Sequence, residues 1–283
     1  MDMVTERKRR KRVRTWSLLA LKLLFLVAAT EASASVDSSF VRAAFQKANS
    51  AIGTRVANYT LIDHRGDRLK VSQFRGRPVV LSFIYTECAN PCAAITMAIE
   101  RALKRAPAEV LDNTVVLTFG FDAERDTPER LKEYGSPFMK RFKNWLFVTA
   151  DADTIKRFTD QTGFWFQKRR DGGFDHLNMI TIIDGDGRIY SHIYGVDFGA
   201  EELLEPLTAL INRKDAEKPS GSGGLVDLVK LLCYSYDEAT GTYRPDYTFL
   251  MTVGMWILVQ VVGIAFVIYL FKGRRDATKT DKG

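Results

Sequence analysis

The sequence predicts an α/β fold of the thioredoxin kind, a mixed β-sheet flanked by helices, with a C-terminal transmembrane helix attached. Three observations predict it. Apolar, β-branched runs bounded by breakers alternate with helix-like segments between residues 58 and 213. The alternation ends in a tight hairpin and one last helix, not in a long doubly wound series. Finally, Phe249 to Phe271 is a stretch of 23 residues without a formal charge, enough at about 1.5 Å per residue to cross a hydrocarbon core of about 30 Å.

Taken in order, residues 1–34 run from a basic segment, Arg7 to Arg14, into the apolar stretch Trp16 to Ala29 and then Ala32-Ser33-Ala34. That order is the pattern of a secretory signal peptide with a small-x-small cleavage site, or of an uncleaved N-terminal anchor. Residues 35–57 form a polar, partly helical lead-in to a domain at 58–213. Tyr59 to Asp63 and Arg68 to Val71 flank His64-Arg65-Gly66-Asp67 and predict a short hairpin. Val79 to Tyr85 is a continuous apolar run, hence a strand buried on both faces. Pro91 to Arg105 reads as a helix, with Pro where a first turn tolerates it and Ile95, Ala98, Ile99 and Ala102 on one side. Val115 to Phe121 is a second buried strand, and Asp126-Thr127-Pro128-Glu129 supplies a capping residue, a Pro and an acid at the start of the next helix. Trp145 to Thr149 is a third strand, followed by a helix from Asp153 to Thr162 that Gly163 closes. Met179 to Ile183 and Arg188 to Tyr194 make the terminal hairpin around Asp184-Gly185-Asp186-Gly187, and the last helix of the domain runs from about Ala200 to Asn212. Residues 214–248 read as a linker and juxtamembrane segment, 249–271 as the membrane span, and 272–283 as a basic tail.

The formal charge of +7 does not mark a nucleic-acid binder. Residues 1–34 carry +5 and residues 272–283 carry +3, so everything between sums to about −1. Nucleic-acid binding needs basic side chains clustered on the domain itself. Charge placement instead predicts topology, since Lys272, Arg274 and Arg275 follow the span directly. By the positive-inside rule the C-terminus is cytoplasmic and the domain lies on the exoplasmic side, periplasmic if the membrane is a bacterial inner membrane.

Three cysteines, Cys88, Cys92 and Cys233, are too few for a disulfide scaffold. Cys88 and Cys92 sit four positions apart where a buried strand enters a helix, near enough to share an ion or close a disulfide. A helix N-terminus favours the thiolate. Thiolates select Cu(I), zinc or iron–sulfur centres, or carry out thiol–disulfide exchange. A third donor is sought among the histidines. In a thioredoxin fold the loop before the terminal hairpin lies against the cysteine loop, and here that loop, Gly172 to Asn178, contains His176 and no proline. His176 is therefore expected to face the two thiols. His64, in a turn, and His192, on a strand, read as ordinary structural histidines, and Cys233 as an inert thiol.

Three segments together, Tyr85-Thr86-Glu87-Cys88-Ala89-Asn90-Pro91-Cys92, Phe121 to Glu129, and Asp175-His176 followed by a strand, resemble the three signatures of the Sco/SenC family, in the family's order, between about Asn58 and Asn212. The resemblance implies a copper protein with Cys88, Cys92 and His176 as ligands and Asp122 as an acidic group near the metal. It also implies a role in assembling the dinuclear copper centre of cytochrome c oxidase, with that enzyme's copper-bearing subunit as partner. Ala89 and Ala93 stand where the family usually has Pro, so the loop is expected to take its own path. Competing expectations are a membrane-anchored thiol–disulfide oxidoreductase using Cys88 and Cys92, then a peroxidase of the same fold, then a zinc site.

Overall fold

The computed structural model describes residues 35–88, 91–196, 198–212, 234–237, 242–245 and 251–264. The expectations for residues 1–34, for Cys233 and for residues 272–283 fall outside the described residues.

The chain divides into two units, residues 1–43 and 44–283. Within the first unit the described residues belong to the start of helix α1 (Ser35–Ala51), a full helix where the sequence suggested only partial helicity. The second unit holds a seven-stranded sheet in the order β2-β1-β5-β4-β3-β8-β9. Its strands are β1 (Thr60–Asp63), β2 (Arg68–Lys70), β3 (Val79–Ile84), β4 (Val115–Gly120), β5 (Trp145–Thr149), β8 (Met179–Ile183) and β9 (Ile189–Tyr194). Strands β3, β4 and β5 are parallel neighbours, whereas β8 runs antiparallel to β3 and β9 to β8. Parallel neighbours require crossovers. They are supplied by helices α2 (Pro91–Leu103) and α3 (Ala108–Asn113) between β3 and β4, and by α4 (Pro128–Met139) between β4 and β5. Helix α5 (Ala152–Gln161) follows β5 and α6 (Ala200–Ile211) follows β9. Helix α2 packs with α6, and α4 against β5. This is the predicted mixed α/β architecture.

All six positions of β3 and of β4 are buried, as strands covered on both faces must be. Phe83 on β3 and Phe119 on β4 meet Phe158 of α5, with ring centroids 4.8–6.3 Å apart, and Phe164 stacks on Phe83 at 4.1 Å.

Three features depart from the sequence reading. Helix α3 begins straight after Pro107, a segment too short to show a period. A second small sheet pairs β6 (Phe166–Lys168) with β7 (Phe174–His176), so His176 lies on a strand and not in a loop. Gly172 makes the turn between them at φ +88°, a conformation that a side chain resists. Lastly, the backbone of 214–248 contains a hairpin, β10 (Tyr234–Asp237) with β11 (Thr242–Pro245), inside the predicted linker.

Of the predicted span 249–271, residues 251–264 are described and are helical, with Met251, Trp256, Leu258 and Ile264 exposed. Among the described residues no helix is long and apolar enough to cross a membrane, and the ends of the predicted span lie outside them.

His192 keeps the structural role expected of it. It is fully buried on β9, with Nε2 donating to the Ala48 carbonyl at 2.9 Å and Nδ1 within 3.0 Å of the Thr181 hydroxyl. Burial holds its pKa down at about 4, against 6.5 for a free imidazole, although the Ala48 carbonyl pulls the other way. The unfolded chain therefore binds a proton between pH 6.5 and 4 that the folded chain refuses, and stability falls as pH falls through that window. For His192 alone the loss is on the order of 3 kcal/mol. Urea unfolding at pH 7 and pH 4 should show it, with a smaller difference in His192→Gln; an equal difference in both proteins would contradict the assignment.

Candidate metal centre

Strand β3 delivers the chain to Tyr85, after which the polypeptide turns, the Cys88 amide donating to the Tyr85 carbonyl at 3.0 Å. Helix α2 starts at Pro91, so Cys88 precedes the helix and Cys92 is its second residue. The two residues nonetheless meet. Cys92 is fully buried, Cys88 is half-buried, and their sulfurs share a hydrogen bond with no disulfide between them.

The expectation that the helix N-terminus would favour the thiolate is reversed at Cys92. Burial pushes its thiol well above the usual range, the neighbouring Cys88 adds to this, and the Tyr85 backbone only partly offsets it. An ion at a helix start gains from the helix dipole only about 0.3–1 kcal/mol when exposed, whereas removing a charge from water costs several kcal/mol. In the absence of a cation Cys92 is a neutral thiol.

Tyr85 touches both halves of the site. Its hydroxyl hydrogen-bonds the Cys88 side chain, and burial raises its pKa. Its ring meets His176 edge-on at 6.2 Å between centroids. The imidazole also packs against Phe121 and Phe164, each at 5.6 Å. This apolar surround lowers the His176 pKa to about 4, so the ring is neutral at physiological pH. Nδ1 lies 3.5 Å from the Leu177 carbonyl. A carbonyl only accepts, so this contact favours the proton on Nδ1 and leaves the Nε2 lone pair open to a metal.

Among the described residues no three His, Cys, Asp or Glu side chains form a ready-made cage. Cys88 and Cys92 are brought together, and Tyr85 contacts both Cys88 and His176. The donor chemistry fits a soft or borderline ion, since two thiols and a neutral imidazole suit copper in either oxidation state.

Asp122, at the end of β4, is buried. Its Oδ1 accepts from the Glu124 amide at 3.1 Å, and its Oδ2 pairs with Arg125 Nε at 2.8 Å, at an angle that leaves Oδ2 without a directed hydrogen bond. The group that organises the cysteine turn is Asp126. Asp126 does not cap α4; Thr127 does, accepting from the Arg130 amide. Asp126 instead reaches back to the turn, its Oδ1 accepting from both the amide and the hydroxyl of Thr86 at 2.8 Å, and its Oδ2 from the Asp122 amide at 2.8 Å. Burial raises its pKa, partly offset by these same hydrogen bonds. There is no room for a Cβ at Gly120, which would come within 2.8 Å of the Asp126 Cβ.

A family model described as SCO1/SenC matches residues 48–212, more than half of the chain. A SCO2-like protein of Rickettsia prowazekii is 27% identical over 153 residues, covering 52% of this chain and 72% of its own. A relative named for copper binding, from Stutzerimonas stutzeri, is 24% identical over 137 residues, covering 47% of this chain and 66% of its own. Among solved structures, a protein from Aquifex aeolicus superposes with a TM-score of 0.53 at 27% identity, covering 58% of this chain and 96% of that one.

Proposed function

This chain belongs to the SCO1/SenC family, and on that premise we propose that it is a copper-binding metallochaperone for assembly of the dinuclear copper centre of cytochrome c oxidase. Cys88, Cys92 and His176 would hold the ion as cargo for the oxidase's copper-bearing subunit. The observation that carries the reading is the contact of two thiols, with Tyr85 joining Cys88 to a neutral imidazole. A bound cation would offset the cost of ionising the buried Cys92 thiol. Asp122, buried at the end of β4, would act on the site through its neighbours. The apolar stretch 249–271 would anchor the domain on the exoplasmic face, the periplasm in a bacterium, with residues 272–283 in the cytoplasm.

A second reading rests on the sulfur–sulfur contact itself. A half-buried Cys88 beside a buried Cys92 also suits a thiol–disulfide oxidoreductase, in which the Cys88 thiolate attacks a partner's disulfide and releases one partner thiolate. Cys92 then attacks the mixed disulfide, leaving a Cys88–Cys92 disulfide and a fully reduced partner.

Full-length protein in detergent, loaded with Cu(II) and freed of excess by gel filtration, is expected to retain about one copper per chain and to show a sulfur-to-copper charge-transfer band. No retained copper, or copper retained as spin-active Cu(II) without that band, ends the copper reading. Reduction of a disulfide-bonded partner peptide that survives His176→Ala and is lost in Cys88→Ser would favour the second.

A further inference from the structure

The two halves of the site come from segments more than eighty residues apart, and something must hold them in register. Tyr85 contacts a donor on each side, and one charged side chain ties the two segments together through hydrogen bonds. Arg125, in the turn after β4, pairs through Nη1 with Glu87, the residue before Cys88. Its Nη2 donates to the Gly172 carbonyl at 2.7 Å, in the turn of the hairpin that carries His176. Its Nε pairs with Asp122 Oδ2 at 2.8 Å. Glu87 is held on its other oxygen by Arg130, at 2.7 Å.

We propose that Arg125 is the positioning residue of this site, clamping the cysteine turn to the histidine hairpin so that both present their donors to one ion; this rests on the copper reading above. A guanidinium suits the task because its donors project in a fixed planar fork, and here they hydrogen-bond acceptors on two distant segments while the ion pair to Asp122 holds the group on its own turn. An ammonium is a single compact point and cannot span Glu87, Gly172 and Asp122 at once. The Gly172 carbonyl is the informative contact. It is a neutral backbone group in the turn of a hairpin that Lys168 also pairs to Glu124 and Phe174 packs against Tyr85, and its left-handed backbone disfavours any residue with a side chain. Since Arg125 touches neither the sulfurs nor the imidazole, its removal should change the geometry of the donor set and leave its membership intact.

The test uses full-length Arg125→Lys and Arg125→Ala, with Arg141→Ala as a control that breaks another surface pair, to Glu100. In metal-free protein, amide exchange should speed up by about tenfold or more at residues 86–88 and 170–176 in both Arg125 variants and remain unchanged in β3 and β4. In copper-loaded protein the sulfur-to-copper band should persist while the nitrogen hyperfine coupling from imidazole weakens, and Cu(II) affinity should fall about 10- to 100-fold. Wild-type exchange rates at both segments, or unchanged nitrogen coupling and affinity, would overturn the proposal. Should the wild type bind no copper, the copper reading fails alone, and the exchange pattern of the metal-free variants still decides whether Arg125 is the clamp.

Discussion

Cys92→Ser is expected to abolish copper retention while leaving the domain folded. Oxygen replaces sulfur with little change in volume, and the hydroxyl can keep the contacts to the Tyr85 backbone and the Cys88 side chain. The cost of seating it in a fully buried position is about 1–3 kcal/mol. The metal loses far more. A serine hydroxyl stays protonated where a thiol gives up its proton to a soft cation, so the bound ion would keep one sulfur at most. His176→Ala should separate the two oxidation states. It leaves the thiol pair that suits Cu(I) and removes the imidazole that Cu(II) needs, so Cu(II) and its absorption band should disappear while Cu(I) remains measurable by competition with a chelator.

The same argument fixes the sign of the pH dependence. Burial raises the Cys92 thiol well above 9, so a proton occupies the ligand throughout the physiological range and must leave as the metal enters. Copper affinity should therefore rise with pH, by about tenfold per pH unit for this one thiol. Affinity independent of pH between 6 and 8 would show that the Cys92 sulfur is not a ligand.

What the sequence disclosed and what it withheld divide by range. Strands β3 and β4 were legible because six consecutive buried positions leave a continuous apolar run, and the Cys88–Cys92 pair because both residues lie at one strand–helix junction. The β6–β7 hairpin was not. Each of its strands has three residues, too few to show alternation, and the pairing of Phe166 with His176 is set by a turn whose signal is little more than Gly172-Gly173. Asp126 and Thr127 are both good caps side by side, and nothing local decides between them. The decision is made by Thr86, forty positions earlier, which supplies two donors to Asp126. Arg125 was visible only as part of a motif, since its partners at Glu87 and Gly172 lie 38 and 47 positions away. The burial of Cys92 was hidden for a similar reason. A polar loop at a helix entrance reads as exposed, yet the second residue of α2 points into the core.

Asp126→Ala is expected to be the most destabilising single change near the site, at about 3–5 kcal/mol. The carboxylate is almost fully buried, and its removal strands three donors at once: the Thr86 amide, the Thr86 hydroxyl and the Asp122 amide. An unpaired buried donor costs about 1–3 kcal/mol. The hydroxyl can rotate towards another acceptor, so the full sum is not expected. Asp126→Asn should cost roughly half as much, because its carbonyl can serve Thr86 or Asp122 while its amide group turns a donor against the other. Because Thr86 lies two residues before Cys88, the damage should also reach the site, loosening the turn and weakening copper binding in both variants. A double-mutant cycle with Thr86→Val isolates the hydroxyl contact, whose coupling should be about 1 kcal/mol or more in urea unfolding. If Asp126→Ala instead unfolds within about 1 kcal/mol of the wild type, the carboxylate is not what anchors the cysteine turn, and that role passes to Arg125 and Glu87.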